Sequence, residues 1–365
     1  MKVLLLGAGN VIHTQRWANG LAEAGVHVVC VSQHPFLKTG WAQAVQQVKL
    51  PHKGLLGYFL NVETLRDIWR NNGCQVLNAH YATGYGMTAS SSGIHPLLVS
   101  VWGSDVFDFP RKSPLHAAMV RRVLRRADAI GSTSAVMALQ VKKLLGAATE
   151  VVVTPFGVDT SRFTPLEHAA VGRPLVIGTV KTLAPKYGID TLIRAFALIK
   201  ARLPSPAVPI GVRLRLVGDG PQRYQLESLA QKLGVADWVE FTGAIDHAEV
   251  PKSLRRFDIF AAASRLDSES FGVAVIEASA SGLPVVVTQV GGLPEVVEDG
   301  KTGFIVPRND PKALADALWT LCGDAALRRR FGAAGRAKVQ AEYEWRGCVT
   351  RMVDVFRALL AAKPR

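Results

Sequence analysis

Ser264-Arg265-Leu266-Asp267-Ser268-Glu269-Ser270-Phe271-Gly272-Val273-Ala274-Val275-Ile276-Glu277-Ala278-Ser279-Ala280-Ser281-Gly282-Leu283-Pro284 sets one glutamate in a polar loop and a second, eight residues on, in a helical pattern. The apolar runs 257–262 before it and 284–287 after it read as buried strands. Gly272 opens the helix, and Gly282 with Pro284 ends it. A strand, a polar loop and a helix N-terminus together make a phosphate site, through main-chain N–H groups and the helix dipole. Carboxylates beside such a site suit hydroxyls, because they accept hydrogen bonds and repel another anion. A ligand with sugar hydroxyls on either side of a diphosphate fits this arrangement, and nucleotide sugars are such ligands.

The 365 residues exceed one ordinary core and suit two domains of roughly 150–180 residues. A hydrophobic content of 48% argues for a packed globular protein and against disorder. The longest apolar runs are strand-sized, so no transmembrane helix is expected. Residues 3–9 are too short for a signal peptide. Cys30, Cys74, Cys322 and Cys348 are scattered without metal-ligand spacing, so we expect isolated thiols of a cytosolic protein and no structural zinc. No Asp-x-Asp pair sits at a site, and neither a catalytic metal nor a cofactor is expected.

The net charge of +14 calls for an anionic partner. Residues 115–127 form a helical pattern with Leu115, Met119, Val120, Val123 and Leu124 on one side and Arg121, Arg122, Arg125 and Arg126 on the other. A basic amphipathic helix of this kind can lie on anionic lipid or simply present solvated arginines. Aromatics do not interleave with the basic residues, and no nucleic-acid partner is expected.

Both halves alternate short β-branched runs with helical segments, the pattern of parallel α/β domains. Strands are expected at 2–6, 27–31, 76–78, 97–101, 129–132 and 151–154, then at 175–179, 213–217, 239–241, 259–262, 285–288 and 303–306. The proline-bounded stretch 164–174 reads as the linker. The expected domains are 1–165, 166–342 and a C-terminal helix, 343–365, crossing back to the first domain.

The pair Glu269-x7-Glu277, with Phe271 and Gly272 between, resembles the signature of the retaining GT-B glycosyltransferases of family 4. The resemblance spans nearly the whole chain and is strongest from 154 to 307. It implies two Rossmann-like domains facing across a cleft. Glu269 would contact donor-sugar hydroxyls and Glu277 the nucleotide ribose, with Phe271 and Gly272 in the donor loop. Thr179 to Asp190 resembles the family's Gly-Arg-x(4–5)-Lys-Gly loop: Lys186 matches its lysine, Lys181 stands near its arginine, and Tyr187 is inserted before Gly188. Two lysines in one βα loop neutralise a diphosphate as it leaves. Val217-Gly218-Asp219-Gly220-Pro221 also resembles the family and is mainly architectural there. Gly243 and Ile245 lie where the family holds the base through its backbone. Glu295, after Gly291-Gly292, reads as a helix N-terminal carboxylate.

In the first half, Gly7-Ala8-Gly9-Asn10 leads into a helix carrying His13 and Arg16. Ile12 replaces the third glycine of a dinucleotide loop, and the second strand ends in Ser32 without a ribose-binding acid, which argues against NAD. In the family this loop lies against donor diphosphate and acceptor, which nominates Gly9 and Asn10. His80 and Trp102-Gly103-Ser104-Asp105 follow strands. The family commonly has His-Gly-x-Asp in the second place; here Trp102 replaces the histidine, while Gly103 and Asp105 match. Asp105, His80 or His13 would then orient the acceptor hydroxyl, with Trp102 on the acceptor side.

The resemblance thus implies a retaining enzyme moving a hexose-type sugar from a UDP or GDP donor to a sugar, lipid-linked or small-molecule acceptor. Surface polysaccharide or lipid-linked glycan assembly is the context that accounts for the basic helix, with a cytoplasmic location at the inner face of the membrane. A same-fold inverting transferase or epimerase, and a non-catalytic basic protein of membranes or nucleic acid, remain the alternatives.

Overall fold

The β-branched runs become strands of two entirely parallel sheets, the arrangement expected where helices cover both faces. The computed structural model describes residues 1–166, 172–205, 208 and 211–362. The first sheet contains β1 (Lys2–Leu6), β2 (His27–Ser32), β3 (Val45–Lys49), β4 (Val76–His80), β5 (Leu97–Val101), β6 (Ala129–Ser132) and β7 (Val152–Val153), in the order β3-β2-β1-β4-β5-β6-β7. The second contains β8 (Leu175–Val180), β9 (Val212–Val217), β10 (Val239–Gly243), β11 (Ile259–Ala262), β12 (Val285–Thr288) and β13 (Gly303–Val306), in the order β10-β9-β8-β11-β12-β13. Each sheet has its own apolar core: Leu4, Val29, Leu77 and Val99 in the first, Ile177, Leu214, Ile259 and Val286 in the second. Among the described residues no helix is long and apolar enough to cross a membrane.

The chain divides into two units, one of Met1–Pro155 with the residues from Arg346 onward, the other Phe156–Trp345. Residues 156–165, expected with the first half, therefore group with the second. The reason is local: Arg336 donates to the carbonyls of Phe163, Thr160 and Ala280, and Val158 N–H donates to Tyr343 O at 2.8 Å. Of the expected linker 164–174, residues 167–171 lie outside the described residues. The strand β3 carries no signal in the sequence, because Val45-Gln46-Gln47-Val48-Lys49 is a mostly exposed edge strand. The basic helix is Pro114–Arg125, and Leu115 is not on its buried side but 69% exposed; Val120, Val123 and Leu124 make the buried stripe.

In each unit the order of strands reverses between two neighbours, β1 and β4 in the first and β8 and β11 in the second. Loops leaving the carboxyl ends of such a pair diverge and open a crevice for ligands. In the second unit those are the loop after β8, with Lys181 and Lys186, and the loop after β11, with Glu269. Gly218 supports the first from beneath: at φ +139° it lies so close to the Lys181 carbonyl oxygen that a Cβ would overlap it, and Gly218 N–H donates to Gly243 O at 2.9 Å. Gly218→Ala is expected to cost roughly 1–3 kcal/mol in strain, read as a lowered unfolding midpoint of the second unit by calorimetry.

Candidate active site

The loop after β11 ends at Gly272, whose φ of +91° turns the chain into the helix Val273–Ala280. A Cβ at Gly272 would lie 2.6 Å from Leu293 Cδ2, so glycine is required twice over there. Gly291 and Gly292 press their backbones directly on the carbonyls of Asp267, Glu269 and Ser270, and Gly292 N–H donates to Glu269 O at 3.0 Å. Gly188, at φ +59°, does the same against Ala263 O, while Arg265 N–H donates to Lys186 O at 2.8 Å. Backbone packed on backbone thus fixes the loops to one another.

On this base the charged groups meet. Lys181 Nζ donates to Glu269 Oε1 at 2.8 Å, with side chains only 16% and 7% exposed. Burial alone would lower the Lys181 pKa, but the Glu269 carboxylate, helped by Tyr187 and Glu277, holds it above the usual lysine range. Lys186 Nζ donates to Ser268 O at 2.7 Å. The ring of Tyr187 faces both ammonium groups, at 4.6 Å from Lys181 and 5.5 Å from Lys186; the inserted residue is therefore a shared wedge that positions two cations. The buried Ser268 hydroxyl has no hydrogen-bond partner among the described residues. Glu277 is 4% exposed and pairs with His247 Nε2 at 2.9 Å. Sequence reasoning missed His247, which lies thirty residues from its partner and outside any motif.

Other nominated residues fall around this cluster. Gly243 joins it through Gly218, and Ile245 is half-buried just beyond. The Phe271 side chain is buried against Phe156 and Tyr343, at ring distances of 6.1 and 5.4 Å, so it anchors the loop while its backbone borders the site.

In the first unit, Gly9, Asn10, His13, His80, Trp102 and Asp105 gather at the carboxyl ends of β1, β4 and β5. Ser32 Oγ accepts from Gly9 N–H at 2.9 Å, which explains a serine where a dinucleotide site would place an acid. Asn10 is exposed. The Trp102 ring neighbours both imidazoles, 4.2 Å from His80 and 6.1 Å from His13 by ring centroids. His80 is 2% exposed, and burial with His13 nearby pushes its pKa down to about 3, so it is neutral at physiological pH. Asp105 accepts from the N–H groups of Ala82, Gly103 and Trp102 at 2.8, 2.8 and 3.2 Å. Burial raises its pKa against the pull of those amides. With its oxygens so engaged, Asp105 shapes the turn that presents Trp102.

Residues 163–338 match the family described as Glycosyl transferases group 1, and residues 2–134 match Glycosyl transferase 4-like. The chain is 32% identical over 283 residues to a GDP-mannose-dependent alpha-(1-6)-phosphatidylinositol monomannoside mannosyltransferase of Mycolicibacterium smegmatis, spanning 74% of this chain and 72% of that one. It is 33% identical over 264 residues to the Mycobacterium tuberculosis protein of the same description, spanning 68% and 67%. In fold it is similar to sucrose-phosphate synthase from Thermosynechococcus elongatus, with TM-score 0.85 at 23% identity over the full length of both chains. Anabaena HepE in complex with UDP gives 0.81 at 18% identity, over 98% of this chain and all of that one.

Two measurements check these environments. Lys181→Met strands a buried carboxylate and should cost roughly 3–5 kcal/mol; Lys181→Met/Glu269→Leu should recover most of that loss in calorimetry yet give no turnover. For His80, the folded pKa near 3 lies below the ordinary 6.5, so between those values the unfolded chain holds a proton that the folded one lacks. Its contribution to stability is therefore full above about pH 6.5 and is lost as pH falls toward 3. His80→Gln should flatten the acid limb of stability against pH over that window.

Proposed function

This chain belongs to the glycosyl transferases group 1 family, as a nucleotide-sugar glycosyltransferase of GT-B fold and family 4 type, and on that premise we propose that it is a retaining hexosyltransferase. The observation that carries the reading is the cluster of Lys181, Lys186 and Glu269, on loops at the β8/β11 divergence of one parallel sheet, with Glu277 in the helix that follows.

Lys181, Lys186 and the amides opening the Val273–Ala280 helix balance the charge of the departing diphosphate. Glu269 accepts hydrogen bonds from the sugar hydroxyls and holds Lys181 in place until the anion arrives. Glu277 accepts from the ribose hydroxyls, and His247 fixes its carboxylate. The acceptor oxygen bonds to the anomeric carbon on the face from which the diphosphate oxygen departs, and that phosphate oxygen takes the hydroxyl proton. The anomeric configuration is thereby retained, with no enzyme nucleophile and no metal step. In the first unit, Asn10, His13 and Trp102 serve the acceptor, and Asp105 and His80 hold Trp102.

The donor is a GDP- or UDP-hexose. GDP-mannose heads the test, because the relatives' descriptions name it. The same descriptions name phosphatidylinositol monomannosides and so support a lipid-linked acceptor in glycan assembly, with the enzyme on the cytoplasmic face of the membrane.

A thermal-shift and donor-hydrolysis panel of UDP-, GDP- and ADP-sugars, with NAD as control, tests this. One nucleotide sugar should stabilise the protein. Glu277→Ala should keep the fold and raise the donor KM by about 10–100-fold, the worth of hydrogen bonds to a charged group, with a smaller rise for His247→Ala. Wild-type kinetics in well-folded Glu277→Ala would remove the ribose role, and an inverted product would remove retention.

A further inference from the structure

Tyr85 opens the helix Tyr85–Ser92 and is 3% exposed, with its hydroxyl set against the end of β2. That oxygen lies 3.0 Å from Ser32 Oγ, 2.6 Å from His34 Nδ1 and 3.1 Å from Gln33 N. Ser32 Oγ in turn accepts from Gly9 N–H at 2.9 Å and lies 3.0 Å from the His34 carbonyl oxygen. The His34 N–H is shared between the two hydroxyl oxygens, at 3.0 and 3.4 Å.

The capacity of each group places the protons one by one. A carbonyl oxygen only accepts, so the Ser32 hydroxyl spends its proton on His34 O. The contact between Ser32 and Tyr85 must then run from Tyr85 to Ser32. Burial pushes the Tyr85 pKa up to about 12, so that proton is present at physiological pH. Having given it away, Tyr85 can only accept from His34, which puts a proton on Nδ1. The outcome is a ring: His34 Nδ1–H to Tyr85, Tyr85 to Ser32, Ser32 to His34 O. The lone pairs left over take Gln33 N–H on Tyr85 and Gly9 N–H on Ser32. Hydrogen bonds chained in this way polarise and strengthen one another.

Gly9 is held on every side. Its N–H meets Ser32, and its carbonyl accepts from Leu37 N–H at 3.0 Å. The Phe36 ring lies so near that a Cβ on Gly9 would come within 2.7 Å of Phe36 Cδ1, and Trp41 stands edge-on to Phe36 at 5.2 Å. Asn10 follows directly and is exposed. The strands β1 and β4 are the neighbours at which the first sheet reverses its order. Gly9 lies just after β1, and Tyr85 opens the helix after β4, so the ring ties together the two sides of that divergence.

We propose that Tyr85 is a positioning residue of the transferase: through Ser32 it fixes the Gly9-Asn10 turn and aligns Asn10 for the acceptor, without touching substrate itself. The inference rests on the proposed role of Asn10 and deepens it by naming what aligns that residue. A tyrosine kept for packing alone would be replaced by phenylalanine without kinetic effect.

The first test is the tautomer of His34. Burial lowers the His34 pKa below the usual 6.5, so the imidazole is neutral at about pH 8. Nitrogen–proton correlation spectra of the full chain with labelled histidine, assigned by the loss of one ring in His34→Asn, should then show Nδ1–H. A wild-type His34 with its proton on Nε2 overturns the proposal.

The second test is kinetic, and uses hydrolysis of GDP-mannose, or of whichever panel sugar stabilises the wild type, with water in the acceptor's place. Tyr85→Phe should lower kcat roughly tenfold or more, with the donor KM and the thermal shift by nucleotide sugar unchanged. His34→Asn, whose amide N–H replaces Nδ1–H, should keep kcat near the wild-type value. His34→Asp, which draws the Tyr85 proton away from Ser32, should fall as Tyr85→Phe does. Wild-type kcat in Tyr85→Phe, or equal kcat in the Asn and Asp variants, removes the positioning role and leaves the transferase reading standing. Absence of turnover with every panel sugar removes the transferase reading, and the positioning role with it.

Discussion

The buried pair of Lys181 and Glu269 is the constraint on which the candidate site depends. It joins the loop after β8 to the loop after β11, the two neighbours at which the second sheet reverses its order. Taking both charges out of water is costly, and an apolar pair of similar volume would often be as stable. Stability alone therefore gives little reason to keep it. A cation held ready in a low-dielectric crevice is useful where negative charge must appear during a reaction, since it needs no reorganisation at that moment. Glu269 thus compensates the buried charge at rest, and Tyr187 keeps Lys181 and Lys186 in fixed relation.

Such a pair holds its geometry only if the loops beneath it do not move. They are not braced mainly by large side chains. Gly188, Gly218, Gly291 and Gly292 let main chain lie directly on main chain, against the carbonyls of Ala263, Lys181, Glu269 and Ser270. Side chains at these positions would lift each loop off its neighbour. Loop glycines are often read as flexibility; here most of the freedom they offer is spent on close approach, and the outcome is a rigid floor.

The sequence showed most of this fold because its signals were local. Buried β-branched runs such as Ile259–Ala262, Val285–Thr288 and Gly303–Val306 carry their own boundaries. Glu269 and Glu277 were legible as a spaced pair framed by Gly272 and Gly282. What stayed hidden was non-local or polar. The strand β3 is edge chain whose alternation is mostly glutamine and lysine. His247 acquires meaning only through Glu277 in three dimensions. Residues 156–165 gave no hint that Arg336, far along the chain, claims their carbonyls. Leu115 matched a helical stripe by spacing, yet it sits in the first turn of its helix, short of the buried stripe that starts at Val120.

The excess of basic residues serves more than one end. The lysines beside Tyr187 are buried or engaged, and a carboxylate meets one of them, so they add little to the field at the surface. The arginines at 122 and 125 are exposed. Only charges of the second kind reach a Debye length into solvent and attract a large polyanion. A small diphosphate needs the first kind, placed to within a hydrogen bond. The excess of positive charge therefore lies mainly on exposed surface residues, while the buried Lys181 is balanced by Glu269.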